Sequence, residues 1–372
     1  MPETDRPDLA IFAATSGHSG VDRIVANLLP EFSRLGLLVD LLHVYGHGPI
    51  IDPLPYNVRR IELGSHHVAT SLWPLLRYLR RHRPRVLLSD KDRANRTALR
   101  AARLAGGSTR CYVRLGTTVS VNLAARGPVQ AWIERRSIGR YHDAAGVIVP
   151  SHGAAQDLAR TSGLALDSIH VLPNPVTSPR LDELARAPCP HPWLEDPDIP
   201  VILGVGNLTP RKDYETLIRA FAEIRRERVC RLVILGDGKA RSQLEALAGE
   251  LGIERDVLLP GFSDNPYAWI SRASVFAHSS RWEGLGIVLV EALALGIPVV
   301  ATDCPSGPAE VLDHGRHGRL VPVGDATAMA QAMSAALDAP PDRDALREAA
   351  NRFRIDTAAR AYAQALGLAV ST

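Results

Sequence analysis

Short runs of consecutive apolar residues recur along the chain and alternate with longer stretches of helical period. The runs fall at 9–14 (L-A-I-F-A-A), 38–44, 58–63, 86–89, 110–115, 146–150 and 169–172, and resume at 201–206, R-L-V-I-L-G, V-L-L-P-G, 274–280 and 298–302. A run that is apolar on both faces predicts a strand of a covered, parallel sheet rather than a half-solvated antiparallel one. Between the runs, apolar residues at helical spacing predict helices over 21–35, 71–82, 153–162, 214–226, 240–251 and 287–295, and around 132–140. The alternation breaks once: residues 173–200 hold eight prolines and no clear period, which marks a boundary. The expected organisation is a domain over 1–175, a proline-rich linker over 176–200, a second domain over 201–350, and a last helix within 351–372. The fold class that follows is α/β, with two Rossmann-like, doubly wound domains facing an inter-domain cleft.

The stretch 278–310, H-S-S-R-W-E-G-L-G-I-V-L-V-E-A-L-A-L-G-I-P-V-V-A-T-D-C-P-S-G-P-A-E, is the densest in information. It reads strand, glycine loop, helix, strand, and such a loop lies where α/β sheets bind ligands. Gly284 and Gly286 flank Leu285 in the loop, and Gly296 closes the helix. Glu283 stands just before the helix, and Glu291 is the one polar side chain inside it. A carboxylate on a helix apolar all round is costly to bury without a hydrogen bond, so something must satisfy Glu291.

Composition narrows the class without choosing the chemistry. A 46% hydrophobic and 22% charged chain of 372 residues suits a soluble two-domain protein. No apolar run is long enough to cross a membrane, and the acidic N-terminus M-P-E-T-D-R-P-D lacks the apolar core of a signal peptide. Cys111, Cys189, Cys230 and Cys304 have no C-x-x-C spacing, which argues against zinc and a disulfide framework and fits a reducing cytoplasm. Charge is divided: residues 1–180 hold 23 basic against 14 acidic side chains, and residues 181–372 hold 20 against 26. The basic excess is densest from Arg77 to Arg103, including Arg80, Arg81 and Arg93, which predicts a face for an anionic membrane or acceptor. A merely solubilising surface is the simpler alternative.

Other motifs are weaker alone. Gly17 and Gly20 in T-S-G-H-S-G let the chain turn ahead of a helix, where His18 reads best as a solvated loop residue. D-K-D at Asp90–Asp92 suggests a metal pair, yet Asp92 reads better as a helix cap, and D-x-D recurs twice elsewhere; no metal is expected. G-N-L-T-P-R-K-D is no P-loop, since Arg211 occupies a required glycine position and Asp213 the Ser/Thr position. G-D-G-K-A-R lacks the third glycine of a dinucleotide fingerprint. What remains is Arg211 with Lys212 at a strand's C-terminal end, a pair suited to a diphosphate.

The E-x7-E spacing within S-R-W-E-G-L-G-I-V-L-V-E-A-L-A-L-G-I-P-V-V-A-T-D resembles the signature of glycosyltransferase family 4, retaining, nucleotide-sugar-dependent enzymes of the GT-B fold. The resemblance extends through D-C-P-S-G-P-A-E-V-L and L-V-P-V-G-D and back to G-N-L-T-P-R-K-D, strong over 201–325 and weak before. It implies an acceptor-binding first domain, a donor-binding second domain, and a last helix that returns to the first. It implies that Glu283, the candidate catalytic residue, meets the donor sugar, and that Glu291 meets the ribose hydroxyls. Gly261 and Phe262 would flank the base, and Gly17 would face the donor. Arg211, Lys212 and the turn Gly284, Leu285, Gly286 would hold the diphosphate. Many relatives have G-R-L where this chain has G-N-L, and a histidine where it offers only Arg114, Thr117 and Thr118. Arg114 is thereby an acceptor-face candidate. The implied reaction moves a hexose or N-acetylhexosamine from a nucleotide sugar, UDP-linked by preference, to a lipid-linked, polysaccharide or lipopolysaccharide acceptor, without cofactor, metal or nucleic acid. A nucleotide-sugar 2-epimerase on the same architecture is the enzymatic alternative. A non-catalytic nucleotide-sugar-binding module is the other, and intact Arg211, Lys212 and Glu283 argue against it.

Overall fold

The computed structural model describes residues 6–15, 17 and 19–369. They form two compact units. The first runs up to Val176 and takes back the chain from Ile355, and the second spans Thr177–Arg354.

The first unit holds seven parallel strands: β1 (Leu9–Ala13), β2 (Val39–His43), β3 (Val58–Glu62), β4 (Val86–Asp90), β5 (Arg110–Arg114), β6 (Gly146–Val149) and β7 (Ile169–Val171). Their order is β3-β2-β1-β4-β5-β6-β7, so the winding reverses between β1 and β4. All five residues of β1 and of β4 are buried, as a central parallel strand requires. The second unit holds β8 (Val201–Val205), β9 (Arg231–Leu235), β10 (Val257–Gly261), β11 (Val275–His278), β12 (Val299–Thr302) and β13 (Arg319–Val321), ordered β10-β9-β8-β11-β12-β13. Here the reversal lies between β8 and β11. Ligands of open α/β sheets bind at the carboxyl ends of strands flanking such a reversal.

Three elements differ from the sequence reading. Residues 176–200 are not an irregular linker: Pro179–Ala185 is a helix with proline at its first turn, and it belongs to the second unit. The carbonyls of Leu184 and Ala185 accept from Asn265 Nδ2 at 2.8 Å and Ser271 Oγ at 3.2 Å, which docks it beside the helix Tyr267–Ile270. The helix expected around 132–140 starts earlier, at Pro128, and ends at Ile138; a short helix, Val119–Ala124, precedes it. Asp92 is the first helical residue rather than the cap, a position held by Lys91 at φ 76°.

The helix Ile355–Ala365 packs on the first unit's helix Gly20–Arg34. Tyr362 is fully buried, and its hydroxyl accepts from Arg114 Nε at 3.0 Å.

Candidate donor site

Arg211 and Lys212 lie in the loop after β8, and Glu283 in the loop after β11, so the reversal of the sheet brings them together. Arg211 Nη1 donates to Glu283 Oε2 at 2.8 Å and Lys212 Nζ to Oε1 at 2.7 Å. Ser280 Oγ donates to the same Oε1 at 2.9 Å, and His278 Nε2 lies 3.4 Å from it. The two loops are also joined through the backbone. Arg281 N donates to the Arg211 carbonyl at 2.8 Å and Ser279 Oγ to the Lys212 carbonyl at 2.7 Å. Ser306 Oγ secures the carbonyl of Glu283 at 2.8 Å.

Burial sets the electrostatics. Lys212 is 8% exposed and Glu283 6%, whereas the Arg211 side chain is 34% exposed. Burial pushes the Glu283 carboxyl up, but Lys212, His278 and Arg211 outweigh it and hold it well below the usual carboxylate range. Lys212 is lowered by burial and by Arg211, with Glu283 opposing. His278 falls to about 4, through burial first and Lys212 second, and so is a neutral imidazole at pH 7. One carboxylate thus serves two cations, and the more exposed of them, Arg211, has donors to spare for an anion.

The turn that carries Glu283 into the helix Ile287–Ala294 is fixed by two glycines. Gly286 caps the helix at φ 86°, where a Cβ would sit 2.9 Å from Leu289 Cδ1. Gly307 approaches from the following loop so closely that a Cβ would stand 2.5 Å from the Leu285 carbonyl oxygen. Gly284 and Leu285 are buried in this turn. Glu291, 1% exposed, receives the Tyr267 hydroxyl at 3.2 Å on Oε1, so a phenol answers the buried carboxylate.

The remaining second-unit candidates lie along the same sheet edge but do not join this cluster. Gly261 ends β10, two strands from β8, and Phe262 beside it is 56% exposed. Between them the loop after β9 packs backbone to backbone on the loop after β8: a Cβ at Gly236 would meet the Gly206 carbonyl oxygen at 2.0 Å, and one at Gly238 the Leu208 oxygen at 2.4 Å.

In the first unit, Gly17 has φ 87° and faces Gly48, whose Cβ would meet Gly17 Cα at 2.5 Å; His18 lies outside the described residues. The basic face expected from one run of arginines is divided. Arg80 and Arg81 are exposed and border, with Trp73 and Arg77, a surface hollow of about 440 Å³. Arg93 lines a separate cavity. Arg114 is not on any face: it is 2% exposed, bonded to Asp90 at 2.7 Å, Asn174 and Tyr362. Asp90 is the reason, since its buried charge at the end of β4 demands a cation from neighbouring β5. Asp92 is engaged too, by Arg96 at 3.2 Å and by the hydroxyls of Ser137 and Tyr141.

Sequence reading passed over His278, Ser280 and Ser306, which position Glu283, and Gly236 and Gly238, which shape the neighbouring loop. The only available signal was H-S-S running into the glutamate and the G-x-G after β9, weighed above only as a cofactor fingerprint.

Two parallel sheets, each reversed at its centre, define a two-domain α/β fold of the GT-B type. Residues 190–353 match the family described as Glycosyl transferases group 1, and residues 18–178 match Glycosyltransferase Family 4. The chain is 30% identical over 371 residues to the N-acetylgalactosamine-N,N'-diacetylbacillosaminyl-diphospho-undecaprenol 4-alpha-N-acetylgalactosaminyltransferase of Campylobacter jejuni, covering 95% of each. It is 33% identical over 227 residues to the alpha-D-kanosaminyltransferase of Streptomyces kanamyceticus, 59% of this chain and 58% of that one. Among solved structures, Anabaena HepE in complex with UDP-glucose superposes with a TM-score of 0.78 at 20% identity, over 96% of this chain and 99% of that one. The chain belongs to glycosyltransferase family 4 and is a glycosyltransferase.

Proposed function

We propose that the protein transfers a hexose or N-acetylhexosamine from a UDP-sugar, with retention, to a lipid-linked or polysaccharide acceptor in cell-envelope glycan assembly. The observation that carries this reading is the Arg211–Lys212–Glu283 cluster at the reversal of the second sheet. The Campylobacter relative's diphospho-undecaprenol acceptor and HepE's UDP-glucose supply the substrate classes by similarity. A diphosphate arriving at the half-exposed Arg211 competes with Glu283 for that guanidinium. The carboxylate is then freed toward the sugar hydroxyls while Lys212 keeps it in place. Glu291 with Tyr267 is assigned to the ribose.

In the reaction the bond from the anomeric carbon to the β-phosphate oxygen breaks and a bond to the acceptor oxygen forms on the same face. The acceptor proton passes to the departing UDP. Arg211 and Lys212 stabilise the charge that develops on the diphosphate, a role otherwise given to a divalent cation. Activity therefore persists in EDTA. An absolute need for manganese or magnesium in a metal-depleted assay would refute that part.

Calorimetric titration tests the site directly. Lys212→Ala weakens UDP binding by about 1.5–3 kcal/mol, the worth of one charge-assisted hydrogen bond. Unchanged UDP and GDP affinity would remove the assignment. UDP release that depends on added acceptor separates transfer from 2-epimerisation, which needs none. We also propose that the first unit docks on anionic membrane at the cytoplasmic face. Its support is the exposed group of Trp73, Arg77, Arg80 and Arg81. No helix among the described residues is long and apolar enough to cross a membrane.

A further inference from the structure

His278 is the last residue of β11, and its register with Ala301 of β12 fixes where the ring stands. The side chain is buried and neutral at pH 7. Its Nε2 lies 3.4 Å from Glu283 Oε1 and 3.8 Å from where a Cβ on Gly286 would stand. Yet this nitrogen has no hydrogen-bond partner among the described residues. A buried polar atom left in that state is costly, because it has given up water and gained nothing in return.

The reason lies on the carboxylate. Glu283 Oε1 already accepts from Lys212 Nζ at 2.7 Å and from Ser280 Oγ at 2.9 Å. A carboxylate oxygen has about two lone-pair sites, so these two donors fill it and hold a third off. His278 thus stands within reach of an acceptor that is already taken. The Lys212 bond is the one that sugar transfer strains. Charge building on the departing diphosphate draws the ammonium toward it and loosens its hold on Oε1. Glu283 then faces the sugar while both of its cations are engaged elsewhere, and a buried carboxylate short of donors loses its orientation and its charge.

We propose that His278 is a positioning residue for Glu283: its Nε2–H takes the place on Oε1 that Lys212 gives up when the diphosphate claims the ammonium. The carboxylate passes from a cation to a neutral donor and stays ionised and aimed while the anomeric carbon changes partners. A neutral donor suits that moment better than another cation, since it does not compete for the diphosphate and adds no positive charge beside a carbon that is itself becoming positive. The proton stays on Nε2 throughout. The handover rests on the glycosyltransferase reading, whereas the competition between Lys212 and His278 for one oxygen does not.

Melting temperatures of ligand-free protein read the competition. His278→Leu alone should change stability little, because Nε2 makes no bond there. In a Lys212→Met background Oε1 has a place open, and His278→Leu should then lower the melting temperature by roughly 3–6 °C. His278→Gln, whose amide nitrogen reaches the Nε2 position, should restore most of that loss. An equal effect of His278→Leu in both backgrounds overturns the proposal. Nuclear magnetic resonance reads the handover in wild type labelled with nitrogen-15 histidine, the His278 signal being identified by its loss in His278→Leu. Saturating UDP, which carries the fully developed diphosphate charge, should move the Nε2 proton downfield, as a new bond to a carboxylate requires. A signal that UDP leaves unmoved, or a ring protonated on Nδ1 instead, overturns the proposal, and this arm decides should Lys212→Met fail to fold. Failure of UDP to bind would instead overturn the glycosyltransferase reading, and the melts would still decide the competition.

Discussion

Glu283 neutralises a buried ammonium and an arginine, and the proposed function asks it to be available to a sugar as well. Its replacement separates the two roles. Glu283→Gln leaves the Lys212 ammonium, 8% exposed, without its counter-charge, and breaking a buried pair from one side costs about 3–5 kcal/mol. Denaturant melts should show that loss, and the double variant Glu283→Gln, Lys212→Met should regain much of it. A single variant as stable as wild type would mean that Lys212 sheds its proton instead. His278 adds a pH dependence whose sign follows from its depressed value. With the folded imidazole at about 4 and the unfolded one near 6.5, the unfolded chain binds the extra proton between those values. Stability is therefore full above about pH 6.5 and falls on acidification toward pH 4. Glu283, also depressed, adds a further loss only as pH drops below the ordinary carboxylate range. Melts of His278→Gln at pH 7 and pH 5 should differ less than those of wild type; an equal difference would place the proton elsewhere.

Elements explain why the cluster sits where it does, and how much of it the sequence disclosed. The apolar runs at 9–14, 86–89 and 201–206 announced central strands because a strand buried on both faces has no polar alternation to obscure it. The Arg211–Lys212 pair was legible for a related reason: adjacent cations at a strand end stand out in a loop. Arg114 was not, because R-C-Y-V-R reads alike whether its last arginine faces solvent or meets Asp90, and one partner, Tyr362, is 248 residues away. The helix Pro179–Ala185 was hidden among the prolines of 173–200, which read as a linker, although Pro179 itself stands at the helix start. The turn 284–286 was foreseen as a glycine loop, whereas the close approach of Gly307 needs tertiary structure to see. It yields a prediction: Gly307→Ala pushes on the Leu285 carbonyl and should cost about 1–3 kcal/mol. Because the displaced turn follows Glu283, turnover should fall more than UDP affinity. A variant with wild-type kinetics would show that the turn tolerates the shift.

At the scale of the whole molecule the basic excess of residues 1–180 acquires a definite placement. Arg77, Arg80 and Arg81 project from the helix Leu72–His82 beside Trp73, which is 68% exposed. A second group lies on the same unit, where Arg100, Arg103 and Arg136 crowd Arg140 closely enough to lower its pKa, Arg100 contributing most. Arg136 stands 5.4 Å over the ring of Trp132, itself 61% exposed beside exposed Val129. Clustered like charges repel one another, and an anionic surface relieves that repulsion while the indoles enter the headgroup layer. Each basic residue near such a surface contributes about 1 kcal/mol, an attraction that decays over a Debye length of about 10 Å at 0.1 M salt. The protein should therefore sediment with phosphatidylglycerol-containing vesicles at low salt, not with phosphatidylcholine alone, and should be released as salt rises. Arg80→Glu with Arg81→Glu should weaken binding at the first group and Arg136→Glu with Arg140→Glu at the second, so the pairs report which of them meets the lipid. Tryptophan emission should shift to the blue on binding, and Trp73→Ala or Trp132→Ala should remove the part of the shift that belongs to the docking group. Absence of any vesicle binding at low salt would leave these arginines as a solubilising surface and make a soluble acceptor the better reading.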